Sequence, residues 1–228
     1  FYTPKIMKEL LNHKSISIEL VVMPEGFINS KRIFSTFFIY GLFKFIKRAL
    51  FYFLYHNKFK KFSVHSLIDS PLRIDGMKNI SISKGVVVQY KTWLAAIPLT
   101  GNSNCILEIG EGSIIGNFNH IYATSCIKIG KNVLTADKVF IIDNSHGYSN
   151  ISIPIMHQPI KHIGDVEIGD GSWLGENVCI LGVSIGRNCI IGSNSVVTKD
   201  IPDYCIAVGS PAKIIKRYNH KTKEWQKV

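Results

Sequence analysis

Residues 141–150, IIDNSHGYSN, place one histidine, His146, in a polar cluster of a chain that is otherwise rich in isoleucine, valine and glycine. An imidazole has a reference pKa near 6.5, so a neutral histidine can accept a proton at neutral pH and act as a general base. A histidine at a strand end can also do no more than cap a turn. The elements around His146 decide between these two interpretations.

Two polar neighbours bear on the same question. Asp143 either orients the imidazole, as a second catalytic residue, or ends a strand with an Asx turn, and the turn is the favoured interpretation. Asn144 could hold the imidazole tautomer in the same way, and it is also a candidate for binding an acceptor.

A six-residue repeat surrounds this cluster. Its rule is an aliphatic residue at position one, usually glycine at position two, and a small or β-branched residue at position five. The clearest copies are IGEGSI from Ile109, IGNFNH from Ile115, IGKNVL from Ile129, IGDGSW from Ile168, IGRNCI from Ile185 and IGSNSV from Ile191.

The physics of the repeat follows from strand geometry. Positions one and five face the same side of an extended segment, and the Gly-x-Asn or Gly-x-Gly between them tolerates a positive φ. Each unit is therefore a short strand plus a corner, and stacked units bury a continuous aliphatic column. The pattern predicts a β-solenoid without long helices. It leaves function open, because a solenoid can also be an inert scaffold.

The period is broken at two places. Ile180 and Ile185 are one residue too close, which predicts a tighter corner there. Residues 144–163 do not follow the repeat at all, which predicts a loop extruded from the solenoid, with His146 at its start.

The hexad run IGDGSWLGENVCILGVSIGRNCIIGSNSVVTKDIP, followed by AVGSPAKIIKRY, resembles the hexapeptide-repeat acyltransferases, and among them the sugar O-acetyltransferases of bacterial polysaccharide assembly. The resemblance covers about residues 72–217. It implies an all-β, left-handed parallel β-helix with three hexads per coil, a homotrimer, acetyl-CoA as donor and active sites between adjacent subunits. The expected organisation is an extension over residues 1–70, a β-helix over 71–208 and a helical cap over 209–228.

The resemblance also implies roles for individual residues. His146 matches the catalytic base of a direct transfer in a ternary complex. The donor, acetyl-CoA, is expected to contact Trp173, backbone N–H groups of the corners around Gly175 and Gly192, and two phosphate-binding lysines, Lys199 and Lys213. The acceptor is expected to contact Asn144, Asn119 and His120, although plain surface exposure of the last two is an equal alternative.

A zinc lyase is the rival enzyme class. The γ-class carbonic anhydrases share this fold and bind zinc through three histidines, two of them spaced like His157 and His162. A zinc site needs three fixed ligands and an open position. Here the pair lies in a proline-bearing loop without a matched third histidine, so no metal is expected.

The excess of positive charge lies at the front of the chain. The net charge is +11, and residues 1–62 carry eleven Lys/Arg against three Asp/Glu. Residues 30–62 interleave aromatic and basic side chains, with Leu42, Ile46, Ala49, Leu50 and Phe53 at helical spacing. This segment either packs on the base of the β-helix or lies on anionic lipid. No module for nucleic-acid binding is present.

The cysteines and the lengths of the apolar stretches indicate where in the cell the protein resides. The five cysteines form no C-x-x-C pair and are expected to be reduced core residues, typical of a cytoplasmic protein. The longest charge-free apolar stretch, residues 33–43, is too short to span a bilayer, so any membrane contact would be peripheral to the inner face of the cell membrane. The chain begins at Phe1 without a signal-peptide pattern, which predicts a trimmed start.

The sequence therefore predicts an O-acetyltransferase that uses acetyl-CoA and acts on a sugar hydroxyl of a surface polysaccharide, such as an O-antigen or capsule, or its precursor. Three alternatives remain: a zinc lyase, an O-acetyltransferase acting on serine or an antibiotic, and a non-catalytic scaffold.

Overall fold

In a computed structural model, which describes residues 46–47, 49–101 and 103–228, the repeats wind into a triangular parallel β-helix. Successive hexads contribute strands to three sheets in turn. Sheet A contains β1 (Lys61–Phe62), β4 (Ile80–Ile82), β7 (Ile106–Ile109), β10 (Cys126–Ile129) and β15 (Val166–Ile168). Sheet B contains β2 (Leu67–Ile68), β5 (Val87–Val88), β8 (Ile114–Ile115), β11 (Leu134–Thr135), β16 (Trp173–Leu174), β18 (Ile190–Ile191) and β20 (Cys205–Gly209). Sheet C contains β3 (Arg73–Asp75), β6 (Trp93–Ala96), β9 (His120–Ala123), β12 (Phe140–Ile142), β17 (Cys179–Leu181) and β19 (Val196–Val197).

The core is a set of aliphatic columns along the axis. In sheet C, for example, Leu94, Ile121, Ile141 and Ile180 are paired in register and fully buried. Hexad positions one and five both point inward, as predicted; Ile168 and Ser172 illustrate this. The predicted β-solenoid is confirmed, and its first strand begins at Lys61, before the expected boundary at residue 71.

The three corners are named after the sheets they join. Between residues 61 and 197, every connection at the A–B and B–C corners holds four residues, such as 110–113 and 116–119. Asparagine and glycine adopt positive φ there, for example Gly112 and Asn132.

The C–A corner varies instead. Its connections are residues 76–79, 97–105, 124–125, 143–165, 182–184 and 198–200. The short connection over 182–184 is the predicted tight corner, and 143–165 contains the predicted extruded loop. This loop is an antiparallel hairpin of β13 (Asn144–His146) and β14 (Ile160–His162), with a 3-10 turn at Ile155–His157.

A short helix precedes the first coil. Residues 49–55 are helical and continue into a 3-10 turn at His56–Lys58. Phe51 and Tyr55 pack against the core, whereas Ile46, Leu50 and Phe53 of the predicted stripe are exposed, so the helix presents a different face to the β-helix from the one the spacing predicted. About half of residues 30–62 and all of residues 1–29 lie outside the described residues. Among those described, no helix combines the length and apolar content needed to cross a membrane.

The predicted C-terminal helix is wrong. Residues after Pro211 form β21 (Ala212–Asn219) and β22 (Glu224–Lys227), an antiparallel hairpin that extends sheet B from β20. Two features explain the error. Burial alternates residue by residue along most of β21, a period of two, and the open edge of β20 offers unpaired backbone groups that a strand satisfies.

Candidate active site

His146 lies on β13 of the extruded hairpin, paired with Ile160 across the antiparallel ladder. Its imidazole is exposed, and within the described part of the chain neither ring nitrogen has a hydrogen-bond partner. The rest of the hairpin is held by its own bonds. The Gln158 amide nitrogen donates to the carbonyls of Asn150 and Ile153 at 2.8 and 2.9 Å, and Lys161 Nζ donates to Ser149 Oγ at 2.7 Å. The histidine is therefore presented to its surroundings on an internally braced loop.

Asp143 is the buried anchor of this hairpin. Its carboxylate is fully buried and accepts bonds from the backbone N–H groups of Thr124, Ser125 and Cys126 at 2.7–2.9 Å and from Thr124 Oγ1 at 2.9 Å. All of these donors lie on the turn of the preceding coil, and none is His146. The structure therefore gives Asp143 a capping role across two coils, which is closer to the turn interpretation than to direct orientation of the imidazole.

Two predicted acceptor contacts are buried in the corners. Asn119 donates its amide to Thr135 Oγ1 at 2.6 Å and accepts a bond from the Val139 N–H. Asn144 donates to the Tyr122 carbonyl at 3.1 Å and to Asp143 Oδ1 at 3.0 Å. The burial of Asn119, which was expected to be outside the core, is at odds with contact to an acceptor, because the bonds between coils already use both ends of its amide.

His120 lies in an aromatic column on the outer face of sheet C. Its ring stacks on Trp93 at 4.1 Å between centroids and meets Phe140 edge-on at 5.1 Å. Its Nε2 is buried without a hydrogen-bond partner in the described residues. Burial lowers the pKa of this imidazole, which favours the neutral form.

Trp173 is 46% exposed on the outer face of sheet B. It belongs to an unbroken outward column of apolar side chains, paired in register from coil to coil: Leu67, Val87, Ile114, Leu134, Trp173, Ile190 and Ile206. Sequence reasoning found Trp173 but missed the column, although every member except Ile206 is the first residue of its strand.

The backbone N–H groups of Gly175 and Gly192 are already used. They donate to the carbonyls of Ile191 and Ala207 in the following coil, at 2.8 and 2.9 Å. The two glycine N–H groups are therefore not available to acetyl-CoA, contrary to the prediction. Any hydrogen bond from these corners to acetyl-CoA must come from neighbouring groups.

Cationic side chains gather beyond the last coil. Lys199, at the C–A corner, and Lys213, on β21, are both exposed. The structure adds Lys216 and Lys227, which lie opposite each other and in register with Ile206. The apolar column of sheet B therefore ends at two lysines that sequence reasoning assigned to a helix.

The two histidines of the alternative zinc site, His157 and His162, do not lie in a cluster of metal ligands among the described residues. His162 Nε2 lies 3.2 Å from Asp165 Oδ1, and His157 is exposed in the 3-10 turn. Over the described residues, no group of three or more His, Cys, Asp or Glu side chains has an arrangement that could hold a metal. All five cysteines are free, and burial raises the pKa of each thiol, to about 12 for Cys105.

Comparisons with known proteins agree with this architecture. Residues 165–199 match a family model described as the hexapeptide repeat of succinyl-transferase. A protein of Escherichia coli whose name assigns it to lipopolysaccharide biosynthesis as an O-acetyl transferase, WbbJ, is 42% identical over 129 residues, covering 54% of this chain and 66% of that protein. A protein of Mycobacterium tuberculosis named as an acetyltransferase, Rv3034c, is 38% identical over 149 residues, covering 60% of this chain and 49% of its own length. The chain thus spans 66% and 49% of the lengths of these two relatives.

A solved structure supports the fold. The N-acyltransferase AntD from Bacillus cereus superposes with a TM-score of 0.59 at 22% identity, over 72% of this chain and 86% of its own. In the described residues, triangular coils of six-residue units with an extruded histidine-bearing hairpin form a left-handed parallel β-helix. In its six-residue repeat and its parallel β-helix, the chain is similar to hexapeptide-repeat acetyltransferases.

Proposed function

We propose that the protein is an O-acetyltransferase that uses acetyl-CoA and acetylates a sugar hydroxyl of a surface polysaccharide or its precursor. The observation that carries the proposal is His146, an exposed imidazole on a braced hairpin of a hexapeptide-repeat β-helix. The similarity to WbbJ supports the choice of a sugar hydroxyl as acceptor.

The chemistry assigned to His146 is general base catalysis. Its neutral imidazole takes the proton of the acceptor hydroxyl while the oxygen attacks the thioester carbonyl of acetyl-CoA. The C–S bond then breaks, the acetyl group remains on the sugar oxygen, and the imidazolium returns the proton to the departing thiolate. No covalent enzyme intermediate is needed.

The donor would lie along the apolar column of sheet B. Pantetheine is a long, weakly polar arm, and the exposed side chains of Ile114, Leu134 and Trp173 offer it a continuous surface. Strands are about 4.8 Å apart, so Lys216 lies roughly 14 Å beyond Trp173 along the axis. Lys216 and Lys227, together with Lys213, would meet the nucleotide phosphates there.

One subunit does not bring these parts together. The hairpin leaves the prism at the C–A corner, between β12 and β15, whereas Trp173 lies on sheet B, the sheet that does not border that corner. A second copy must supply the other half of the site. Because the two contacting surfaces differ, the contact is heterologous, and such a contact forms either a closed ring or an open filament. We propose a closed ring of three subunits, a homotrimer.

Turnover of acetyl-CoA with a panel of glycans tests the function. The His146→Ala variant is expected to lose 10²–10⁴-fold in kcat, the usual contribution of a general base. His157→Ala, which removes another exposed histidine of the same hairpin, is the matched control and should retain full turnover. Undiminished turnover in His146→Ala would overturn the mechanism.

Mixed oligomers test the shared site. His146→Ala and Trp173→Ala subunits, each inactive as homotrimers, should regain activity when coexpressed. About a quarter of wild-type turnover is expected, because half of the subunits keep His146 and half of their neighbours keep Trp173. No recovery in verified mixed trimers would place both residues in a site within one subunit.

A further inference from the structure

Two insertions leave the β-helix at the same corner. Residues 97–105 connect β6 to β7, and residues 143–165, which carry His146, connect β12 to β15. Between them the corner is closed by only two residues, Thr124 and Ser125, both buried. The two insertions are two strand spacings apart, roughly 10 Å. They therefore flank a notch above the Thr124–Ser125 turn, which we call its floor; the two floor residues are buried and offer a ligand no surface.

The floor is tied to both sides. Thr124 donates its backbone N–H and hydroxyl to Asp143, at the start of the hairpin, at 2.8 and 2.9 Å. On the other side, Thr100 Oγ1 lies 3.4 Å from both the Thr124 carbonyl and its hydroxyl, at the long end of hydrogen bonding. His146 follows Asp143 by three residues, so its Cα lies within about 10 Å of the Asp143 Cα, at the edge of the floor.

The chemistry of the side formed by residues 97–105 is neutral. Its sequence, IPLTGNSNC, contains no charged residue in a chain with a net charge of +11. Pro98, Leu99 and Ser103 are exposed, and Leu99 is 49% exposed. An apolar side chain among hydroxyl and amide groups is suited to the C–H face and the hydroxyls of an uncharged sugar, and the segment offers no cationic side chain to a phosphate or carboxylate.

We propose that residues 97–105 form the acceptor-binding wall of the active site and select a neutral sugar ring, which rests in the notch with its reacting hydroxyl toward His146. This inference rests on the proposed acetyltransferase function. It assigns specificity to a segment that follows no hexad and carries no catalytic residue.

The test measures turnover of methyl glycosides of neutral hexoses and of the corresponding uronic acids. Wild type should prefer the neutral sugars. Leu99→Asp should raise the KM for the neutral acceptor about tenfold, and Leu99→Lys should shift the kcat/KM ratio toward the uronic acid by about tenfold, as expected for one contact of this kind. The KM for acetyl-CoA should stay within about twofold of wild type in both.

Leu72→Asp is the matched control, because Leu72 is 61% exposed at the B–C corner of the first coil, and it should leave both KM values unchanged. Suppose that Leu99→Asp and Leu99→Lys turn over with the wild-type acceptor KM and the wild-type neutral-to-uronic ratio. Residues 97–105 then do not bind the acceptor, while the proposed acetyltransferase function stands. An equal rise in the KM for acetyl-CoA would assign Leu99 to the donor and also overturn the acceptor-binding wall. Absence of any sugar acetylation by wild type would remove the proposed function, and the wall with it.

Discussion

The A–B and B–C corners and the C–A corner join strands of the same three sheets, yet they are built differently. The first two repeat four-residue connections whose side chains bond to the next coil: Ser113 Oγ donates to the Gly130 carbonyl at 2.8 Å and accepts from the Val133 N–H at 3.0 Å. At the C–A corner the connections range from residues 124–125 to residues 143–165. Two corners therefore bond coil to coil in a repeated pattern, whereas the third carries the proposed catalytic histidine and is held by a buried anchor, Asp143.

The largest effect on stability is expected at the C–A corner, where the buried Asp143 carboxylate bonds to the preceding coil. Asp143→Ala removes a buried acceptor of three backbone N–H groups and one hydroxyl, so the free energy of unfolding should fall by about 3 kcal/mol or more. Urea unfolding at fixed protein concentration measures this.

Asp137→Ala is the control for Asp143→Ala. Asp137 sits at the B–C corner and accepts bonds from Asn117 only, at 2.8–3.2 Å and partly exposed. A loss of about 1 kcal/mol is expected. Equal losses in the two variants would mean that the C–A corner is no more dependent on a side-chain anchor than the regular corners are.

The next contrast concerns space. A Cβ added at Gly169, in an A–B corner, would lie 2.5 Å from the Gly186 carbonyl carbon and 2.8 Å from Arg187 Cα, so Gly169→Ala should cost about 2–3 kcal/mol. Gly101, in the 97–105 insertion, has open space around it, and Gly101→Ala should cost only about 1 kcal/mol, from its positive φ. Thermal unfolding of both variants measures the difference between a crowded position in the coil stack and an open position on the 97–105 insertion.

A smaller effect is expected from the serine that bridges two coils. Ser113→Ala leaves a buried N–H and a buried carbonyl without this partner, and should lower the free energy of unfolding by about 1–2 kcal/mol. Ser145→Ala on the hairpin, whose hydroxyl contacts only the adjacent His146 carbonyl, should change it by less than about 0.5 kcal/mol. A neutral Ser113→Ala would show that the bridge adds nothing to the backbone ladder.

The same contrast explains what could be predicted from the sequence. The regular corners obey a local rule, so Ile168, Ser172 and their counterparts predicted the solenoid and its inward faces. At the irregular corner the six-residue repeat breaks after Asp143, and this break located the hairpin. It did not reveal the bonds from Asp143 to Thr124, because residues nearly twenty positions apart come together only when the coils stack. The C-terminal strands were missed for a related reason: β21 becomes a strand because β20 offers it an edge. The inward turn of Asn119 was missed because polarity alone does not reveal a bond between coils.

The smallest effect is expected in the pH dependence of stability, through His120 on the outer face of sheet C. Because burial holds the pKa of His120 below its ordinary 6.5, the unfolded chain binds this proton first as the pH falls. The stability that His120 contributes is fully present above pH 6.5 and is lost between 6.5 and its folded pKa. His120→Phe keeps the aromatic contact with Trp93 and Phe140 but cannot be protonated, so its melting temperature should fall less than that of wild type between about pH 7 and pH 5. His157→Phe, on the exposed hairpin, should follow the wild-type curve. If melting temperature depended on pH in the same way in wild type and His120→Phe, protonation of His120 would not destabilise the folded protein. That result would mean that its Nε2 donates to water, as it would if this face of sheet C were hydrated.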